Sequence, residues 1–373
     1  MPYPQFDRSS LRMKPLAARE NRKSIERDHV SPTQSPGPLS AAATDTINET
    51  VERVAEARKN ARPVMLAFGA HTIKNGLAPV LIELIEEGWV THMATNGAGI
   101  IHDWEFAYQG ESSEDVRANI ERGEFGNWRE TGHTINLALN IGAYEGLGYG
   151  EAVGALIERE TLIIPSEGEL RRSINRDVEQ NASQAAAAAD LLSIIQTFQL
   201  EPGRLELPHR WKSLSAQAAA FRLGVPFTGH PMFGQDIIYQ HPMNHGGLLG
   251  RAALRDFLTF AEGVSRIDGG IYLSVGSAVM SPMIFEKSFA MAQNLATGRG
   301  RPIERHYMLV VDLARSDWDW GRGEPPQDHP AYYLRYNKTF SRMGGTMRYL
   351  RADNRDFLLA LYQALQRQGP SPG

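Results

Sequence analysis

Few residues in this chain have both the type and the setting to do chemistry. Lys338 closes the stretch Tyr332-Tyr333-Leu334-Arg335-Tyr336-Asn337-Lys338. A lysine forms imines only as the neutral amine, which needs a desolvated or cation-flanked site. Tyr332, Tyr333, Tyr336 and Phe340 would supply an apolar wall, and Arg335 a flanking cation. Taken alone, such a lysine is an ordinary surface residue. Asp236 follows Gly234-Gln235 and precedes an apolar run. Its carboxylate could hold a substrate ammonium or simply close a turn. His102-Asp103 comes directly after a glycine loop. Histidine acts as a general base near neutral pH, whereas the plain reading is an aspartate capping a helix start. His241 and His245 stand four apart, but Pro242 lies between them and no H-E-x-x-H is present, so no metal site is assigned.

The glycine-rich segments offer a second kind of chemistry. Gly69 and Gly76 flank a polar turn with His71, Thr72, Lys74 and Asn75; Thr95-Asn96-Gly97-Ala98-Gly99 and Gly276-Ser277-Ala278 follow later apolar runs. Backbone N–H groups at a helix start, with no side chain in the way, can hold a phosphate. Neither G-x-G-x-x-G nor G-x-x-x-x-G-K-[ST] is present, so the glycines could equally turn corners. Lys74 would pair with a phosphate or remain a solvated loop lysine.

The elements that must position these residues alternate. Apolar runs at 64–68, 90–94, 225–228, 270–275, 307–311 and 346–350 read as strands. Helical spacing at 44–61, 77–87, 104–109, 134–142, 181–198, 214–223, 248–262, 285–295 and 357–366 fills the gaps. This predicts an α/β protein: a Rossmann-like, doubly wound, mostly parallel sheet with helices on both faces. The loops after 68, 94, 228, 275 and 311 would then meet at one sheet edge, where ligands bind. That would bring His71, Lys74, Asn96, Asp236, Ser277 and Asp312 together. Residues 123–131 (GEFGNWRET) read as surface decoration or a lid. Residues 1–45 form a polar, Pro/Ser-rich arm, disordered or docked on a neighbouring subunit, and 46–373 the α/β domain.

Composition narrows the classes. The 373 residues carry a net charge of -4 and no cysteine. Without a basic excess, nucleic acid and anionic lipid are not expected partners. Without cysteine there are no disulfides, thiolate metal sites or cysteine nucleophiles. No apolar run reaches the length of a membrane span and no secretory signal is visible, so a cytoplasmic location is expected.

These residues resemble the deoxyhypusine synthase family over about two-thirds of the chain. Residues 69–103 are similar to its loop, helix, strand and T-T-A-G-G-[IV]-E-E-D segment, here ending Thr95-Asn96-Gly97-Ala98-Gly99-Ile100-Ile101-His102-Asp103. Residues 225–249 and 307–338 resemble its later stretches, with Pro330 to Lys338 in the place of P-D-E-A-x-S-W-G-K. The resemblance implies that NAD takes hydride from spermidine, and that Lys338 captures the aminobutyl group as an imine for an acceptor, either a lysine of an acceptor protein or a small amine. It makes Asp236 the holder of an ammonium. It makes Gly69, His71, Thr72 and Asn75 of the 69–76 loop, Thr95, Gly97 and Asp353 cofactor contacts, and it implies a homotetramer. Asn96, Gly276, Ser277 and Asp312 join the expected cofactor contacts through the loops that meet at the sheet edge.

The departures point away from spermidine. Ile101-His102 replaces a glutamate pair, Ser277 to Pro282 lacks the family's histidine, and Tyr336 and Tyr332 replace a tryptophan and a glutamate. The expectation is an NAD-dependent transferase of this type acting on another small-molecule amine, with Lys338, His102 and Asp236 catalytic. The alternatives are an NAD-dependent amine deaminase, in which water receives the group, and a noncatalytic or regulatory dinucleotide-binding protein. An unrelated enzyme using His71, His102 and His230 is a further reading.

Overall fold

Val64–Phe68 is apolar at every position because both faces of the sheet it belongs to are covered. Val64, Leu66 and Phe68 pack into one core cluster and Met65 and Ala67 into another. The computed structural model describes residues 3–369, so the outermost positions of the predicted arm and domain lie outside the described residues. Its central sheet contains β1 (Val64–Phe68), β2 (His92–Asn96), β3 (Phe227–His230), β4 (Ile271–Val275), β5 (Tyr307–Asp312) and β6 (Thr346–Arg351). All pair in parallel, in the order β6-β5-β4-β1-β2-β3. Read outward from β1, the chain first builds β2 and β3 on one side, then returns to build β4, β5 and β6 on the other. That is the doubly wound Rossmann order, with its switch point between β1 and β4.

Helices cover both faces. One core holds α1 (Ala41–Lys59), α3 (Ala78–Glu86), α4 (Gly97–Gln109) and α9 (Asn354–Gln366). The other packs Phe260 and Val264 of α6 (Gly246–Ser265), Phe285 and Phe289 of α7 (Met280–Gly298), and Phe340 of α8 (Arg335–Ser341). No helix among the described residues is long and apolar enough to cross a membrane.

Several boundaries differ from the sequence expectation. β2 starts at His92, because Val90 N bonds back to Leu84 O and still belongs to the turn. The polar turn after β1 contains a short helix, α2 (Ala70–Lys74). The expected loop 95–99 is instead a strand end and a helix start. Asn96 caps α4 by accepting from Gly99 N, so the helix expected at 104 already begins at Gly97. Two antiparallel ribbons were not foreseen: Asn21–Ser24 with Glu111–Glu114, and Thr161–Ile164 with Gly203–Glu206. Each strand is only four residues long; Asn21–Ser24, Glu111–Glu114 and Gly203–Glu206 are largely polar, and the apolar Leu162-Ile163-Ile164 is too short to set a period.

The N-terminal arm lies on its own domain rather than being disordered. Lys14 exchanges backbone hydrogen bonds with Asn127 and Arg129, and Asn21–Ser24 adds a strand to Glu111–Glu114. Arg19 is buried and forms a bidentate ion pair with Glu105 of α4. A Pro-rich polar segment cannot build a core, but its backbone and its arginines Arg8, Arg19 and Arg22 find partners on a domain that can.

Candidate functional site

The carboxyl ends of the strands carry two hollows, one on each side of α2. The first has a volume of about 250 Å³ and is lined by His71, Asn75, Gly276, Asp312, Asp353 and Asn354, among others. It sits beside the β1/β4 switch point. Gly69 N donates to Val275 O, and a Cβ on Gly69 would come within 2.0 Å of Gly276 O, so the loops after β1 and β4 touch backbone to backbone. Thr72 is buried beneath this hollow and receives a hydrogen bond from Asn354 Nδ2, whose amide oxygen in turn accepts from Asn75. Asp312 Oδ1 accepts from Leu313 N and Ala314 N, and Asp353 caps α9.

The second hollow, of about 200 Å³, is lined by Lys74, Ala98, Ile101, His102, Phe125 and Asp236 together with Arg19, Glu105 and Glu114. His71 and Lys74 are three apart on α2, a spacing that ordinarily shares a face, yet they line different hollows. Asp236 Oδ2 is buried with no hydrogen-bond partner. Desolvation pushes its carboxyl up to about 6. It leans on the start of α4, where a Cβ on Gly97 would meet Oδ2 at 2.3 Å. Lys74 has no salt-bridge partner among the described residues, and its amine is pushed down by burial and by the nearby cations Lys23 and Arg22. Glu114 is fully engaged, accepting from Gly126 N, Trp128 Nε1 and Asn119. The loop expected over 123–131 ends at buried Trp128, because Arg129 already begins the helix Arg129–Glu145; the loop presents Phe125 as a wall.

His102 projects from α4 into this hollow. Its Nδ1 lies 2.7 Å from Ser112 Oγ. Burial pushes the imidazole down to about 4, against the pull of the Glu105 carboxylate, so the ring is neutral at pH 7. Asp103, next to it, faces the other way: it accepts from Ser215 Oγ and from the N–H groups of Ala216 and Gln217, capping α5 (Ala216–Leu223). The capping role is therefore real but serves another helix.

Not every expected residue joins these hollows. Thr95 is buried and donates to Phe68 O; Asn96 caps α4; Gly97 supports Asp236. Ser277 Oγ accepts from Ser281 N at the start of α7. Lys338 lines neither hollow. Its Nζ lies 3.6 Å from Glu324 and 3.6 Å from the ring centroid of Tyr332, a carboxylate and a cation–π partner in place of the apolar wall expected. Phe340 belongs to the core and Tyr333 is exposed. His230 is sealed against Thr228 and Phe260, and burial pushes it down to about 3, so it does not join His71 and His102. His241 and His245 each accept a backbone N–H, of Met243 and Leu248 respectively. Larger hollows exist at the amino ends of the strands, around Pro63, Thr91 and Pro226, the side away from the switch point.

No protein-family model matches the chain, and no curated protein matches it. Among solved structures it is similar to a conserved protein assigned as LOR/SDH from Methanococcus maripaludis, at 13% identity over 98% of this chain and 75% of that one, with a TM-score of 0.42. It is similar to the apo form of ArgZ, an arginine dihydrolase from the ornithine–ammonia cycle in cyanobacteria, at 14% identity over 86% of this chain and 32% of ArgZ, with a TM-score of 0.39. It is also similar to AgrE in ternary complex with ornithine and NAD+, at 15% identity over 89% of this chain and 34% of AgrE, with a TM-score of 0.43. The chain thus spans about a third of the length of ArgZ and AgrE. None of these three is a deoxyhypusine synthase. The strand order itself carries the fold assignment: the chain has a Rossmann-like fold.

Sequence reasoning missed Arg19, Glu105, Ser112 and Asn354. One signal was available: Glu105 lies three residues after His102 and so shares its helix face. Arg19 and Ser112 reach the site only through the unforeseen ribbon.

Proposed function

We propose that the protein is an NAD-dependent enzyme that oxidises a small amine, with water rather than a lysine receiving the oxidised carbon. The observation that supports this most is the composition of the second hollow: a buried carboxylate and a lysine that both lack a partner among the described residues, and a neutral histidine, in one small chamber. Asp236 would hold an ammonium and Lys74 a carboxylate, a pair of charges matched by an α-amino acid. His102 would take the proton that the nitrogen gives up.

The first hollow would take one nucleoside portion of a dinucleotide, whose nicotinamide would have to reach the second hollow to accept hydride. The first hollow lies at the carboxyl ends of β1, β4, β5 and β6, and Asp312 and Asp353 offer carboxylates of the kind that bind ribose hydroxyls. His71, Asn75 and Gly276 would contact the remainder, with Gly69 permitting the close approach of the two loops. When bound, NAD supplies the hydride acceptor. Phe125 and Ile101 limit water around the reacting carbon.

Group transfer through Lys338 to an acceptor protein forms no part of this reading, because Lys338 is engaged by Glu324 and Tyr332 outside both hollows. The test is to incubate the full chain with NAD and a panel of α-amino acids and simple amines, following reduced nicotinamide and ammonia together. Equal yields of the two support the reading. NAD binding without reduction by any amine favours the noncatalytic alternative.

A further inference from the structure

The contacts behind His102 fix where its proton sits. Glu105 receives Arg19 Nη1 and Nη2 at 2.8 and 2.7 Å, Thr131 Oγ1 at 2.9 Å and Ser112 Oγ at 2.6 Å. Arg19 is a permanent cation, and its side chain and that of Glu105 are 2% and 1% exposed. A carboxylate so paired can only accept hydrogen bonds. Ser112 therefore spends its single hydroxyl proton on Glu105. Its other contact is His102 Nδ1 at 2.7 Å, and there the hydroxyl oxygen has only a lone pair to offer. The hydrogen in that contact belongs to the imidazole. A neutral imidazole carries one N–H, so Nε2 is left bare. Among the described residues Nε2 has no protein partner, and it is not sealed from solvent.

We propose that Arg19, Glu105 and Ser112 are positioning residues that lock His102 as the Nδ1–H tautomer, turning the Nε2 lone pair toward the Asp236 hollow. The burial that keeps the ring neutral agrees with this arrangement. The device joins the N-terminal arm to the site twice. Arg19 comes from the arm, and Ser112 lies on the strand that pairs with it, with Lys23 opposite Ser112. Docking of the arm thus completes the base. The role given to Nε2 rests on the proposed amine oxidation; the tautomer itself does not.

The experiment is nitrogen-15 NMR of the imidazole groups in the full-length protein, with His102 assigned by loss of its signals in His102→Gln. The expected result is an N–H type shift at Nδ1 and a bare-nitrogen shift at Nε2. In Ser112→Ala, which leaves the Arg19–Glu105 pair in place, the His102 signals move toward the Nε2–H form. In an active preparation the same variant loses roughly tenfold to a hundredfold in kcat with KM nearly unchanged. An Nε2–H pattern in the parent protein overturns the proposal, as does a Ser112→Ala spectrum identical to the parent's. If the Nδ1–H tautomer is found and no amine is oxidised, the proposed function fails while the tautomer lock stands. If turnover is found with the Nε2–H tautomer, the reverse holds.

Discussion

The carboxyl group of Asp236 rests against Gly97, so closely that a methyl group on Gly97 would come within 2.3 Å of Asp236 Oδ2. The first residue of α4 and the loop after β3, far apart in sequence, are thereby in contact at the floor of the second hollow. Gly97→Ala keeps a good helix-forming residue at that position, so the fold should survive, but Asp236 must move. The expected outcome is a loss of amine affinity on the order of tenfold or more, about 1.4 kcal/mol, with an unchanged circular-dichroism spectrum. Calorimetric titration of the amine in the presence of NAD checks it.

Asp236 also sets a pH dependence. Its carboxyl ordinarily titrates near 3.8 and burial raises it to about 6. Between those values the folded protein holds a proton that the unfolded chain has released. The free protein therefore loses stability as pH rises from about 4 to about 6, and keeps that contribution below this window. An ammonium ligand needs the ionised carboxylate, so its affinity should instead rise through pH 6 and level off above it. Thermal melts with and without ligand, taken across this range, should show the stabilisation by ligand growing as pH increases.

Lys338 provides a contrast. Because its Nζ is held by Glu324 and stacked on Tyr332, Lys338→Met should leave amine oxidation within about twofold of the parent, the range expected for a residue outside the reaction. Borohydride treatment during turnover should leave no adduct on Lys338 by peptide mass. An adduct at that residue would restore the transfer reading.

The arm makes a prediction about stability. Arg19→Met leaves Glu105 as a buried carboxylate without its cation, a change that typically costs about 3–5 kcal/mol. Denaturant titration should show the midpoint falling accordingly. Hydrogen exchange should speed up in the ribbon Asn21–Ser24 and Glu111–Glu114 before it does so in β1.

How much of this was legible in the sequence follows from what stabilises each part. The six central strands announce themselves because a sheet covered on both faces demands continuous apolar runs, as in Val64–Phe68 and Tyr307–Val311. Their alternation with helices gives the Rossmann-like class. The convergence of His71 with Asp312, and of Lys74 with Asp236, follows from parallel topology and was anticipated; that α2 divides them between two hollows was not, because it depends on which side of one helical turn each residue faces. Lys338 was chosen through a resemblance in its neighbouring residues, and its partners Glu324 and Tyr332 are tertiary contacts that no local motif encodes. The ribbon that carries Arg19 to Glu105 is held by backbone pairing and by the ion pairs Arg19–Glu105 and Arg22–Asp115, and none of these leaves a periodic trace.

The central claim is that Asp236 binds the amine while the other hollow holds one nucleoside portion of the dinucleotide. Its most direct test is Asp236→Asn, measured for NAD affinity and for amine-dependent NAD reduction. The account predicts NAD affinity equal to the parent's and turnover reduced by on the order of a hundredfold, as for loss of a charge-assisted contact to the reacting group. Turnover equal to the parent's in Asp236→Asn, or a parent protein that does not bind NAD, would contradict it.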